Sequence, residues 1–155
     1  MVDIRIECVV DKHARVGEGP VWDDRAHCLW WTDINGRTMH RFDPADGADE
    51  AYELPVRVGC FALREAGGFV LAAEHGFWLW DPHANHLDHL HDVAAPGDDW
   101  RMNDGGCDRQ GRLVASSMCT DSNRRPIGGV APLATRGIPC PNKPRRPSPA
   151  TALRH

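Results

Sequence analysis

A strand–turn–strand round recurs along most of the chain, and this recurrence restricts the fold more than any other feature. Cys28-Leu29-Trp30-Trp31-Thr32-Asp33-Ile34 is aromatic and β-branched, which predicts a strand. Asn35-Gly36 follows, a hairpin dipeptide whose usual turn needs positive φ at both central residues. Thr38-Met39-His40-Arg41-Phe42 returns and stops at Asp43-Pro44. In the second round Gly68–Ala73 is a strand, Glu74-His75-Gly76 a turn, and Phe77–Trp80 a return strand ending at Asp81-Pro82. A third begins at Asn103–Asp108, turns at Gln110-Gly111 and continues through Arg112–Ser116. No segment holds helical periodicity over ten residues. Trp22, Leu63 and Cys107 occupy matching places in the rounds, 41 and 44 residues apart. A period of roughly 40–50 residues made of about four strands marks the blade of a β-propeller. A blade buries its faces only against its neighbours. A plain β-meander or sandwich with accidental spacing yields the same strands, and periodicity alone leaves both open.

Composition excludes several classes. The chain has 155 residues, 41% hydrophobic and 26% charged, with a net charge of −4. That is an ordinary globular balance, and it disfavours nucleic acid or an anionic membrane as a partner. No run approaches the roughly 18 apolar residues of a spanning helix. Met1-Val2-Asp3-Ile4-Arg5-Ile6-Glu7 places acids where a signal peptide needs a basic and then an apolar stretch, so the chain reads as unexported and cytoplasmic. Cys8, Cys28, Cys60, Cys107, Cys119 and Cys140 show no CxxC and no zinc-finger spacing, so free thiols are expected.

The last 30 residues differ from the rest. Residues 126–155 hold seven of the twelve prolines, five basic residues and no acid. With all 22 acids and 13 of the 18 basic residues, residues 1–125 carry a net charge of −9. Prolines at this density block both helix and ladder, so a disordered tail is expected over 129–155, after a partial propeller over 1–128. The tail reads as a solvated extension or as sequence out of the ancestral frame; a basic interaction arm is the alternative.

Residues suited to chemistry gather where rounds begin. Glu18 lies in Gly17-Glu18-Gly19-Pro20, and Arg101, Asn103 and Asp104 lie in Trp100–Gly105. In a propeller these first strands line the central channel. Carboxylate and amide oxygens suit a hard divalent cation, and an adjacent arginine suits an anionic or hydroxyl-rich ligand. The opposing reading is that both segments are merely turns, since their residues are common turn formers. His83, His86, His89 and His91 form a second group, with imidazoles that favour zinc or copper, but they fall on a solvated outer strand and loop. Trp30, Trp31, Trp78 and Trp80 are expected to pack between blades.

Five motifs in order then carry a family resemblance. Gly17–Trp22, Leu29–Ile34, His40–Pro44, Arg101–Gly105 and Asp121–Gly128 together resemble the senescence marker protein (regucalcin), gluconolactonase and luciferin-regenerating enzyme family, from about residue 10 to Gly128. The resemblance implies a six-bladed all-β propeller that binds one divalent cation (calcium, zinc, manganese or magnesium) and hydrolyses sugar-acid lactones. It implies that Glu18 is the first metal-ligating glutamate, that Arg101 and Asn103 contact substrate, and that Asp121 occupies a place where the family often has an acidic substrate contact. The remaining ligands, an asparagine and an aspartate, belong to later blades, as does the aspartate proposed as general base. After Gly128 the family strand gives way to Gly129-Val130-Ala131-Pro132 and the basic run, a switch that reads as a frameshift or a premature chain end. The expected product is an incomplete propeller of about two and a half blades, weakly stable, inactive alone and prone to self-association through exposed blade edges.

Overall fold

The computed structural model describes residues 3–93 and 99–121, and the backbone of 130–132. Among the described residues every helix-or-strand element is a strand, and the strands form three antiparallel sheets in chain order. The first sheet is β1 (Gly17–Asp23), β2 (Cys28–Asp33), β3 (Thr38–Phe42) and β4 (Asp49–Glu53). The second is β5 (Val58–Leu63), β6 (Phe69–Ala73), β7 (Gly76–Asp81) and β8 (His86–Asp92). The third is β9 (Trp100–Cys107), β10 (Leu113–Cys119) and β11 (Val130–Pro132). Trp22, Leu63 and Cys107 sit late in β1, β5 and β9, so their spacing is the sheet repeat. β11 pairs Val130 with Ser116, just beyond the 128/129 composition boundary. The rest of the Pro-rich segment, residues 133–155, lies outside the described residues.

The second sheet lies between the other two. β5 packs on β1 and β2 on one side and on β9 and β10 on the other, and β6 also meets β9. Side chains alternate faces along a strand. Val58, Phe61, Leu63, Phe69, Leu71 and Ala73 therefore join Cys28, Trp30 and Met39 of the first sheet. Cys60, Ala62, Val70 and Ala72 join Met102, Leu113 and Ala115 of the third. With both faces covered, every residue of β5 and β6 is buried, and neither strand carries a charge. Trp30 packs edge-on against Phe69 at 4.6 Å, and Trp80 stands 5.3 Å from the same ring. Trp78 is partly buried against this core. Among the described residues no further sheet covers the outer faces of the first and third sheets, and no closed ring forms.

Trp31 does not pack between sheets. Its neighbour Trp30 takes the core side, so alternation turns Trp31 to the opposite face. There its ring stacks on His40 at 3.8 Å, and its Nε1 donates to Asp49 Oδ1 at 3.2 Å. β8 is an exposed outer strand, and its histidines pair locally, His86 with Asp88 and His89 with Asp92.

An aspartate closes four of the hairpin connections in the same way. Asp23, Asp33, Asp43 and Asp81 each accept amide hydrogen bonds from the turn that follows. The residue four positions on then takes positive φ: His27 (51°), Arg37 (57°), Gly47 (75°) and Asn85 (46°). The β2–β3 connection thus differs from the turn that Asn35-Gly36 suggests. It is four residues long, held by Asp33, and the left-handed residue is Arg37. Asp33 also accepts from Arg15 and Val16 amides at 2.9 Å, which ties the incoming chain to β2. Burial pushes the Asp33 carboxyl up, but these three amides, with the nearby His40, outweigh it and hold its pKa below the ordinary value.

Cys8, Cys28, Cys60 and Cys119 are free thiols. No helix among the described residues is long and apolar enough to cross a membrane.

Two consequences are measurable by denaturant unfolding. A Cβ on Gly59 would sit 2.6 Å from the Asn103 carbonyl oxygen, and closer still to that of Met102. Gly59→Ala is expected to lower stability by about 1–3 kcal/mol, and an unchanged midpoint would contradict this contact between β5 and β9. Because the Asp33 pKa is depressed in the folded state, its contribution is present above the unfolded carboxylate value of about 4 and fades as pH falls through the folded value. Asp33→Ala is expected to cost about 1–3 kcal/mol at neutral pH and to flatten the loss of stability in acid.

Candidate functional site

β1 carries Glu18 and β9 carries Arg101, Asn103 and Asp104, and the three leading strands β1, β5 and β9 are each bulged. In β1 the register shifts between Glu18 and Val21, in β5 between Val58 and Cys60, and in β9 across Met102–Gly105 against Ala115 and Ser117. A bulge adds one residue, bends the strand and re-aims its side chains. In β1 the cause is local: Gly19 takes φ +60, and Pro20 brings no backbone donor to the ladder. Gly17–Pro20 and Asn103–Gly105 are therefore irregular strand rather than mere turns.

Glu18 lies opposite Thr32 in the β1–β2 ladder, and its side chain is exposed. It borders a cleft of about 400 Å³ between residues 9–14 and the β1–β2 face, which Trp31 also lines. Arg101 is only 8% exposed. Its Nη1 donates to the Met102 carbonyl and to Asn103 Oδ1, both at 2.9 Å, so Arg101 and Asn103 form one unit. Asp104 is exposed, and its Oδ1 accepts from the Gly105 amide. Asp121 is half-buried two residues past β10. Because Met118 pairs with Arg101 and Cys119 with Trp100, Asp121 follows the end of β10 that lies beside the start of β9. Residues 122–128 of that motif lie outside the described residues.

The structure adds a pair that the sequence reading missed. Arg57, immediately before β5, meets Glu74 in the two-residue β6–β7 turn. Its Nη2 and Nε donate to Glu74 Oε2 at 2.8 and 3.1 Å, and its backbone amide donates to Oε1 at 2.8 Å. Burial pushes the Glu74 carboxyl up, but the hydrogen bonds and charge of Arg57 outweigh this and hold its pKa below the ordinary value. The Glu74 backbone, at φ +47, receives the Met102 amide at 2.7 Å and donates to the Arg57 carbonyl at 2.9 Å. This turn therefore ties the start of β5 to the start of β9. A signal was present: Arg57 precedes Leu63 by six residues and Arg101 precedes Cys107 by six, so the two arginines hold one place in the repeat.

Electrostatics link these ends. Burial, and next the neighbouring Arg57 charge, lower the Arg101 pKa, while the carboxylates of Glu18 and Glu74 act against that shift. The described residues do not make a complete cation shell. They contain no cluster of three His, Cys, Asp or Glu side chains placed to share an ion, and Asn103 Oδ1 already accepts from Arg101. Glu18 is one oxygen donor where a hard cation takes six or more.

Comparison with known proteins agrees with this architecture. Residues 16–137 match the family described as SMP-30/Gluconolactonase/LRE-like region. The chain is 38% identical over 119 residues to 6-deoxy-6-sulfogluconolactonase of Pseudomonas putida, covering 77% of this chain and 41% of that protein. It is 34% identical over 118 residues to regucalcin of Xenopus laevis, covering 76% and 40%. The fold resembles the crystal structure of a calcium-binding regucalcin from Agrobacterium tumefaciens, with a TM-score of 0.74 and 22% identity over 80% of this chain and 42% of that one. The chain thus spans about two fifths of the length of these relatives. With its blade-like sheets, its repeat and this match, the chain belongs to the SMP-30/gluconolactonase/LRE-like family.

Proposed function

We propose that these residues carry the N-terminal share of a sugar-lactone hydrolase site. The observation that supports this most is the meeting of Glu18, Arg101 and Asn103 at the same ends of bulged leading strands. Arg101 and Asn103 hold the hydroxyls of a sugar-acid lactone, the class of compound named for the Pseudomonas putida relative. The Arg101 guanidinium presents donors in a fixed fork, and its bond to Asn103 Oδ1 turns that amide so that its NH₂ is left to donate. Asp121 accepts from another hydroxyl. Glu18 provides one carboxylate oxygen toward a divalent cation, and the Agrobacterium regucalcin is a calcium-binding protein. Calcium, zinc, manganese and magnesium all suit an oxygen ligand. The described residues supply no cluster of three His, Cys, Asp or Glu side chains to complete that shell.

It follows that the 155 residues bind lactone more readily than they hydrolyse it. A non-catalytic binding module is the second reading, and the single carboxylate donor favours it. Self-association through the outer strands β4 and β8 would add neighbours to the open sheets. An unexported, cytoplasmic setting accords with the free thiols.

Hydrolysis of glucono-1,5-lactone by the purified chain is expected to match the metal-only background with calcium, magnesium, manganese or zinc. Turnover well above that background would overturn the incomplete site. Asn103→Ala and Arg101→Ala are each expected to weaken lactone binding about tenfold or more, read from tryptophan fluorescence, since each removes a polar contact. Unchanged affinity in both variants would remove these residues from the site.

A further inference from the structure

Arg101 is a mostly buried charge, and it forms no ion pair among the described residues. Its two hydrogen bonds go to neutral oxygens, and both leave from Nη1. Among the described residues no carboxylate stands within ion-pair distance of it, so its Nε and Nη2 hydrogens have no protein partner there. A mostly buried guanidinium calls for a counter-charge or acceptors around it. The nearest compensation is incomplete. Glu74 is taken by Arg57, and Glu18 is exposed to solvent.

A second arginine stands at the start of the adjacent leading strand, and its charge acts on Arg101. Arg57 spends Nε and Nη2 on Glu74, and its Nη1 has no described partner. Both arginines occupy the same place in the repeat, at the starts of adjacent leading strands. The backbone hydrogen bonds of the Glu74 turn hold those two starts together. Glu74 is spent on Arg57 and so offsets only one of these two positive charges.

We propose that Arg101 and Arg57 form an anion subsite that takes an oxyanion, carboxylate or its equivalent, carried by the sugar-acid ligand. This rests on the lactone reading of the same strand ends and narrows its ligand class. The oxyanion has two sources: the carboxylate released when the lactone ring opens, or an anionic substituent on the sugar itself. Arginine donates two parallel N–H bonds to either, and these are charge-assisted.

The test is calorimetric titration of the full chain at low ionic strength with gluconate, glucuronate and sorbitol. Gluconate carries the ring-opened carboxylate, glucuronate an anion at the far end of the sugar, and sorbitol is a neutral polyol of similar size. At least one anion is expected to bind about tenfold or more tighter than sorbitol, and roughly 0.5 M salt is expected to erase the difference. The tighter anion names the source. The double variant R57Q/E74Q keeps the hydrogen-bonding shapes without leaving a lone carboxylate, and near-ultraviolet circular dichroism reports that it is folded. It is expected to lose the preference for anions and to retain sorbitol binding. Equal affinity for sorbitol and both anions would overturn the subsite while leaving the polyol reading intact, as would a folded double variant that keeps the preference. Failure of all three ligands to bind would overturn both.

Discussion

β5 and β6 have no solvent face, and everything else in the molecule is arranged around that constraint. β5 and β6 bury Phe61, Leu63, Phe69 and Leu71 against the first sheet, and Val70, Ala72 and Cys60 against the third. At roughly 25 cal/mol per Å² of apolar surface, two such contacts are the main stabilising term available to a chain of strands without helices. The contact with the third sheet tolerates no side chain at Gly59, because the backbone of β9 occupies that space. Gly105 is constrained from the other side, where a Cβ would lie 2.6 Å from Cys60 Sγ. Burial pushes the Cys60 thiol up to about 12, so it packs as a neutral apolar group.

The same close approach positions the chemistry. The Met102 amide reaches the Glu74 carbonyl, so a turn of the second sheet sets where β9 begins and where Arg101 lies. The charged residues gather at the bulged strand ends because the strand interiors are sealed on both faces. Loops on a rigid scaffold are where binding groups are usually found. Here the bulged strands do that work, and Glu18 and Arg57 both lie within electrostatic range of Arg101.

Much of this was legible in the chain. The rounds of apolar strand and turn marked β2, β3, β6 and β7, and the spacing of Trp22, Leu63 and Cys107 gave the sheet repeat. Glu18, Arg101 and Asn103 stood out as candidates because family motifs surround them. β4 was not marked, because Asp49-Glu50-Ala51-Tyr52-Glu53 is an edge strand whose exposed positions need not be apolar. The side of Trp31 depends on which of two adjacent tryptophans takes the core, and local pattern does not decide that. Asn35-Gly36 pointed to a two-residue turn, but Asp33 holds a four-residue one through hydrogen bonds to the incoming chain as well as to the turn. The Arg57–Glu74 pair joins residues 17 apart, and only the β5–β6 register brings them together.

Residue-resolved amide hydrogen exchange tests most directly whether the buried middle sheet holds the site. The amides of Glu74 and Met102, which join the starts of β5 and β9, are expected to exchange as slowly as those inside β5 and β6. The outward edges of β4 and β8 are expected to exchange far faster. Exchange at Met102 and Glu74 as fast as at those edges would mean that the strand ends are not tied, and the account of the site would fail with them.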